Sequence, residues 1–251
     1  MKLLRVVASE TLDGLAKDDP QAMRSRRDLQ RVHLAMGTRG ILRRALGGLR
    51  MRSTDAGPLR LLELGAGDGR VMLGVAQALK AQWPRVEITL LDRQDLVMPE
   101  TLAAYAQMGW SATAQVVDVL NWASNTSSPP RSGDAAQWDV IVANLFVHHF
   151  EGAQLAAVLA AIETRATCFF ACEPRRARLA LAGSHLIGAI GANAVTRQDA
   201  VLSVHAGFQG QEISVLWPGQ PGRWNVKEYS AGLFSHCFCA ERSAPGRAAA
   251  S

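Results

Sequence analysis

The sequence has few cysteines and few aromatic residues. Its four cysteines form no Cys-x-x-Cys pair, because Cys168 and Cys172 are four positions apart and Cys237 and Cys239 two. This spacing argues against the common zinc and redox motifs, so we predict reduced, buried thiols and no metal site. Aromatic residues make up only 6% of the chain beside 48% hydrophobic residues, and Ala, Leu, Val and Gly are abundant, a composition that suits helices packed on a parallel sheet.

Long apolar runs are also missing. No stretch reaches the roughly 18 residues that a membrane-spanning helix needs. The first ten residues contain Lys2, Arg5 and Glu10, and they are too short and too soon acidic for a secretory signal. We therefore expect a cytoplasmic protein.

From residue 59 onward, short apolar runs alternate with helix-length segments. Near-continuous apolar strands separated by helices are typical of a parallel, doubly wound sheet with helices on both faces. The predicted strands span 59–64, 86–91, 112–117, 138–143 and 167–172, and the predicted helices span 70–82, 96–108, 152–164 and 175–190. Strands at 224–230 and 234–240 predict a C-terminal antiparallel hairpin. The expected fold is α/β, a Rossmann-like sheet of seven strands.

The two ends of the chain differ from this middle part. Between Leu29 and Met36 apolar residues recur at helical spacing, and Gly37 and Gly40 are expected to end or kink that helix before a second one at 41–49. We predict an N-terminal helical extension over 1–56, a main domain over 57–241 and a disordered tail over 242–251. The polar stretch 121–137 predicts a surface loop in place of a helix.

Three glycines follow the first predicted strand at alternate positions. Glycine permits a tight turn and close approach of a ligand at a position where open parallel sheets bind ligands. Arg70 stands where a dinucleotide fingerprint needs glycine, and Glu63 and Asp68 would repel a phosphate. S-adenosylmethionine (SAM) fits better, because it carries an ammonium and a sulfonium and no phosphate. The segment runs Glu63-Leu64-Gly65-Ala66-Gly67-Asp68-Gly69-Arg70.

This segment resembles the Glu/Asp-x-Gly-x-Gly-x-Gly motif of class I SAM-dependent methyltransferases, and the elements over 59–240 follow in the order of that family. The resemblance implies that the segment's acids and glycines, with Ala66, hold SAM. It implies that Asp92, followed by Arg93, binds the ribose hydroxyls. It also implies that Asp118 binds the adenine amino group with Val119 and Leu120 at the ring, and that the methyl group is presented at Asn144.

The fourth predicted strand leads into Asn144-Leu145-Phe146-Val147-His148-His149-Phe150. This turn resembles that of many small-molecule methyltransferases, including the ubiquinone and menaquinone group. An imidazole with an ordinary pKa near 6.5 suits a general base, so His149 and then His148 are the catalytic candidates. The alternative is that they cap the next helix and pack. Phe146, Arg175 in the segment 173–176, and Arg197 are candidate substrate contacts, although the arginines could equally be solvated.

We predict O-methylation of a small aromatic, phenolic or polyketide-like metabolite. Carbon methylation in a quinone pathway, RNA methylation and a non-catalytic SAM-binding role are the alternatives. Residues 24–52 hold nine arginines and one acid, Asp28. They could form the solvated face of a lid helix, which the family resemblance favours, or contact a membrane surface, an acidic protein or RNA. The absence of interleaved aromatic residues and of base-methylation motifs disfavours nucleic acid; the oligomeric state is left open.

Overall fold

The computed structural model describes residues 3–49, 51, 57–125 and 137–243. One sheet of seven strands forms its centre. The strands are β1 (Leu59–Leu64), β2 (Val86–Asp92), β3 (Trp110–Val116), β4 (Trp138–Asn144), β5 (Ala166–Pro174), β6 (Trp224–Ala231) and β7 (Ser235–Arg242).

The strand order is β3-β2-β1-β4-β5-β7-β6. The first five strands pair in parallel, whereas β7 runs antiparallel to both β5 and β6. This confirms the predicted Rossmann-like sheet with its antiparallel hairpin. The order reverses between β1 and β4, so the carboxyl ends of these strands border the crevice where such sheets bind ligands.

The helices lie before the sheet and between its strands. They are α1 (Thr11–Gly14), α2 (Pro20–Met36), α3 (Thr38–Gly47), α4 (Arg70–Leu79), α5 (Pro99–Gln107), α6 (Val119–Ser124), α7 (Gly152–Arg165), α8 (Arg178–Leu186), α9 (Ala194–Ala206) and α10 (Glu212–Leu216). Among the described residues, two 3-10 turns span Val147–His149 and Ile187–Ile190. Within the described residues, no helix has the length and apolar character that crossing a bilayer requires.

Apolar side chains of the helices pack against both faces of the sheet. Leu42 of α3 and Met72 of α4 belong to the cluster on one face, and Leu155 of α7 and Ile213 of α10 to the cluster on the other. β1 reads Leu-Arg-Leu-Leu-Glu-Leu and is buried at every position except Arg60, as expected for a strand covered on both sides.

Several boundaries differ from the sequence prediction. Gly37 has φ 66° and ends α2, but Gly40 lies inside α3 rather than ending a helix. α6 occupies the start of the stretch expected to be a loop, because the Asp118 side chain caps it. The helix α9 was not predicted; its Asn193 side chain caps the first turn. Residues 126–136 of the predicted loop, 52–56 before β1 and 244–251 of the predicted tail lie outside the described residues.

Candidate active site

A cleft of about 700 Å³ opens at the carboxyl ends of β1 to β4. Residues 7–10 and 12–14 near the N-terminus and the inner side of α2 line its other wall. Most of the predicted site residues lie on it: Glu63, Gly65, Ala66, Gly67, Asp68, Asp92, Arg93, Asp118, Val119, Asn144, Phe146, His148 and His149. We call the part around residues 63–69 and Asp92 the loop end, and the part around His148 and His149 the histidine end.

The loop end is a tight turn that only glycine suits. Gly65, Gly67 and Gly69 have φ values of 66°, 56° and 72°, in the left-handed region. A Cβ on Gly65 would lie 2.1 Å from the Phe146 ring, whereas one on Gly67 would meet no described atom within 4 Å. The Gly67 amide donates to Asp92 Oδ2 at 2.9 Å, which fixes the turn against β2. Gly67 therefore leaves open space where the cleft begins.

Three carboxylates surround this turn. Glu63 is 3% exposed, and within the described structure its Oε2 has no hydrogen-bond partner. Burial, together with Asp68 and Asp92, raises the pKa of Glu63 well above its usual range. Such a site disfavours phosphate and gains most from a positively charged ligand that completes the bonding of Glu63.

Asp92 at the end of β2 has spare capacity for a ligand. Its Oδ1 accepts the Gln94 amide at 2.9 Å and its Oδ2 the Gly67 amide. A carboxylate has about four acceptor positions, so two remain for hydroxyl groups. The neighbouring Arg93 turns elsewhere: its Nη2 lies 3.3 Å from Asp13 Oδ1 and donates to the Asp13 carbonyl oxygen.

Two further predicted cofactor positions lie after β3. Asp118 lines the cleft, but its Oδ1 also accepts the Leu120 amide at 2.7 Å, so it caps α6 as well. Leu120 and Gly69 themselves are not among the cleft-lining residues.

The histidine end rests on a buried carboxylate from β5. Glu173 is fully buried and accepts the backbone amides of Phe146, Val147 and His148 at 3.1–3.3 Å. Leu145, just before this turn, has φ 50°, a conformation that a non-glycine residue adopts only at a cost of order 1–3 kcal/mol. The Glu173 carboxylate therefore holds a strained turn in one geometry.

His148 lies between two carboxylates. Its Nδ1 is 2.7 Å from Glu173 Oε2, and its Nε2 is 3.5 Å from Oε1 of Glu10 in the N-terminal segment. Burial acts to lower the pKa of His148, but the two carboxylates outweigh it and raise the pKa to about 9. His148 is therefore a cation at neutral pH and has no free lone pair with which to accept a proton.

His149 differs from His148 in charge, because its pKa is shifted in the other direction. Burial and the neighbouring His148 lower its pKa, against smaller opposing effects of Glu10, Asp13 and Glu173. Its Nδ1 lies 3.6 Å from Asp13 Oδ2, and its side chain lines the cleft. A neutral imidazole at this position can accept a proton.

The N-terminal segment, residues 3–15, is held over the histidine end by backbone and side-chain contacts. Arg5 donates to the carbonyl oxygens of Ala206, His148 and Phe150 at 2.8–3.2 Å. The Asp199 carboxylate on α9 accepts the amides of Thr11 and Leu12 at 2.8 and 2.9 Å. These bonds position Glu10 and Asp13 beside the two histidines.

The structure does not bring the two predicted substrate arginines to the cleft. Arg175 points toward the β6–β7 turn, where its Nη1 lies 3.4 Å from the Gly232 carbonyl oxygen. Arg197 is exposed on the helix α9 and does not line the cleft. Conversely, sequence reasoning missed Glu10 and Asp13. No local motif marks them, because only the fold brings residues 10–13 to residues 148–149.

Comparisons with known proteins agree with this architecture. Residues 62–168 match a family model described as a methyltransferase domain. No curated protein gives a significant match to the sequence.

Solved structures share the fold at low identity. The chain is similar to the plantazolicin methyltransferase BpumL in complex with SAH, with 12% identity and a TM-score of 0.62 over 90% of this chain and 92% of that chain. It is similar to the plantazolicin methyltransferase BamL, with 12% identity and a TM-score of 0.58 over 93% and 94%. The chain is also similar to an O-methyltransferase family protein from Burkholderia thailandensis, with 15% identity and a TM-score of 0.56. That alignment covers 94% of this chain and 64% of that chain.

The match to the family model runs from within β1 through the glycine turn to the start of β5, so it includes the strand ends that form the cleft. The solved methyltransferases share the fold. Residues 62–168 therefore match a methyltransferase domain, within a fold that solved methyltransferases share.

Proposed function

We propose that the protein transfers the methyl group of SAM to an oxygen of a small aromatic or polyketide-like molecule. One observation carries this proposal: a single cleft joins the acidic glycine turn to a turn with two histidines. Its volume of about 700 Å³ lies in the range of about 300–1,000 Å³ that small-molecule sites occupy.

SAM fits the loop end in charge and in space. In this proposal the unpartnered Oε2 of Glu63, with Asp68, faces the positive charges of the cofactor. Asp92 binds the ribose hydroxyls, Asp118 and Val119 lie at the adenine, and Asn144 lies near the reacting methyl group. When bound, SAM supplies a methyl group on a sulfonium, which leaves as a neutral thioether.

The chain's own residues activate and place the acceptor. Phe146 and Phe150 form an edge-to-face pair with ring centroids 5.4 Å apart, and both line the cleft, which suits an aromatic acceptor. His149 accepts the hydroxyl proton, because a phenol with an ordinary pKa near 10 remains protonated at neutral pH. His148 keeps its charge and fixes the turn. The neighbour described as an O-methyltransferase family protein supports transfer to oxygen.

The arginine-rich region gives no support to an RNA substrate. The half-buried Arg26 lines the cleft, but the exposed arginines of α2 and α3 do not; they are Arg24, Arg27, Arg31, Arg39, Arg43 and Arg44. Arg50 and Arg52 lie outside the described residues. A contact of this surface with a membrane or an acidic protein remains a prediction.

The test combines calorimetry with a turnover screen. We expect Asp92→Ala to weaken SAM binding by about tenfold or more, the value of one to two lost hydrogen bonds. Asp95→Ala is the matched control, because Asp95 is 63% exposed and pairs only with Lys17 at 3.6 Å among the described contacts. Equal affinity of wild type and Asp92→Ala would refute the ribose assignment.

Phenolic, polyketide and quinone precursors are then incubated with SAM and analysed by mass spectrometry for an added methyl group. A product that has lost its hydroxyl group supports O-methylation. A product that keeps its hydroxyl and gains a ring methyl supports carbon methylation instead. SAM binding without any product would favour the non-catalytic alternative.

A further inference from the structure

The N-terminal segment supplies two carboxylates to the histidine end, and the two have different partners. Glu10 lies beside His148 and accepts a hydrogen bond from the Ser203 hydroxyl on α9. Asp13 lies beside His149 and beside Arg93, which follows β2. The site thus combines a strand turn, a loop next to the cofactor position and a segment from the start of the chain.

Asp13 is placed to orient His149. A carboxylate near Nδ1 of a neutral histidine favours the tautomer with its proton on Nδ1, which leaves the Nε2 lone pair free. The distance of 3.6 Å is longer than a hydrogen bond, but such contacts are often long before substrate binds and shorten in the complex. Arg93 holds the other Asp13 oxygen at 3.3 Å, so the carboxylate cannot turn freely.

We propose that Asp13 is a positioning residue for the general base His149, so that the proton-accepting centre is complete only while the N-terminal segment is seated on Asp199. This inference rests on the proposed methyl transfer. The acceptor hydroxyl gives its proton to His149 Nε2 while its oxygen forms the bond to the methyl carbon. The carbon–sulfur bond of SAM breaks, its electron pair stays on sulfur, and His149 later releases the proton to water.

Asp13 also affects the protonation of His149. Its negative charge stabilises the imidazolium, as do Glu10 and Glu173, whereas burial and the charged His148 oppose it. Glu151, at the start of α7, and Arg93 also line this part of the cleft. Removing the Asp13 charge while keeping its shape should therefore lower the pKa of His149 further.

The test is a pH profile of kcat/KM, with SAM and a phenolic acceptor identified in the screen, for wild type, Asp13→Asn, Asp13→Glu and Asp18→Asn. Asp18→Asn makes the same charge change at an exposed position of the same region that does not line the cleft. We expect Asp13→Asn to lower kcat by about tenfold or more, part of the 10²–10⁴ that a general base contributes. The acidic limb of its kcat/KM profile should move to lower pH, while its SAM affinity stays within about twofold of wild type. Asp13→Glu should restore the limb, and Asp18→Asn should match wild type.

The outcomes separate the two proposals. If wild type turns over but Asp13→Asn has the same kcat and the same acidic limb, Asp13 has no positioning role and the proposed function stands. A lower kcat with an unmoved limb would make the contribution of Asp13 structural and overturn the inference. If a chelator abolishes turnover and a divalent cation restores it, the base assignment is wrong, because Glu10, His148 and His149 each offer a ligand atom within 4.8 Å of the others. Absence of turnover in wild type would refute the proposed function itself.

Discussion

The loop end of the cleft comes from one short stretch of chain and the adjacent end of β2, whereas the histidine end joins segments that are far apart in sequence. Gly65 to Asp68 form a turn directly after β1, and Asp92 ends the neighbouring strand. Glu10 and Asp13, in contrast, reach His148 and His149 through tertiary contacts of the N-terminal segment, among them contacts with α9 and bonds from Arg5 to the histidine turn. Local sequence therefore determines the loop end, and tertiary packing determines the histidine end.

The two ends also use carboxylates differently. At the loop end, Glu63, Asp68 and Asp92 lie together, and the unpartnered Glu63 Oε2 leaves room for a cationic ligand. At the histidine end, Glu10 and Glu173 already have a cation, the imidazolium of His148. The first arrangement suits a positively charged ligand, and the second stabilises the protein's own geometry.

The largest effect should separate the two histidines. His149→Ala should lower kcat by about 10²–10⁴-fold with little loss of stability, because it removes the proposed general base from a partly exposed position. His148→Ala should instead lower the free energy of unfolding by about 3–5 kcal/mol, since it leaves the buried Glu173 carboxylate without its cationic partner.

Turnover assays and chemical denaturation of both variants provide the measurement, and His185→Ala, at an exposed position of α8, is the control. If His148→Ala folds normally and loses turnover while His149→Ala keeps it, the two assignments must be exchanged.

Particular residues show how far the sequence alone could go. The glycine turn, Asp92 and the antiparallel hairpin were predictable, since each depends on a local pattern. Arg197 was misplaced because the polar run Thr196 to Asp199 breaks the apolar periodicity of α9, although Asn193 is a recognisable helix cap. Glu10 and Asp13 were not predictable, because a carboxylate near the start of a chain carries no local sign of the histidine it will meet.

A smaller, more local effect tests the loop end through two glycines with similar backbone angles. Either Gly65→Ala or Gly67→Ala should cost about 1–2 kcal/mol for a non-glycine residue in the left-handed region. Gly65→Ala should cost a further 1–3 kcal/mol or so, because the new Cβ meets the Phe146 ring and that ring must move. Gly67→Ala should be more stable than Gly65→Ala. It should still bind SAM more weakly than wild type, because its new methyl group enters the open cleft.

Thermal unfolding and SAM calorimetry of both variants measure this difference. Equal stability of the two variants would show that the Phe146 ring moves aside at little cost in free energy. Wild-type SAM affinity in Gly67→Ala would place the cofactor away from this turn.

The smallest expected effect concerns a proton on Glu63. Burial and the nearby Asp68 and Asp92 raise the pKa of this carboxyl, so the free protein favours its neutral form. A cationic cofactor beside Oε2 stabilises the ionised form and lowers that pKa, so binding near neutral pH should release up to one proton. SAM affinity should then increase with pH until Glu63 is ionised in the free protein as well. The binding enthalpy should depend on the ionisation enthalpy of the buffer in wild type but not in Glu63→Gln. If wild type and Glu63→Gln show the same buffer dependence, the proton comes from another group, and the positive charge of the cofactor lies away from Glu63.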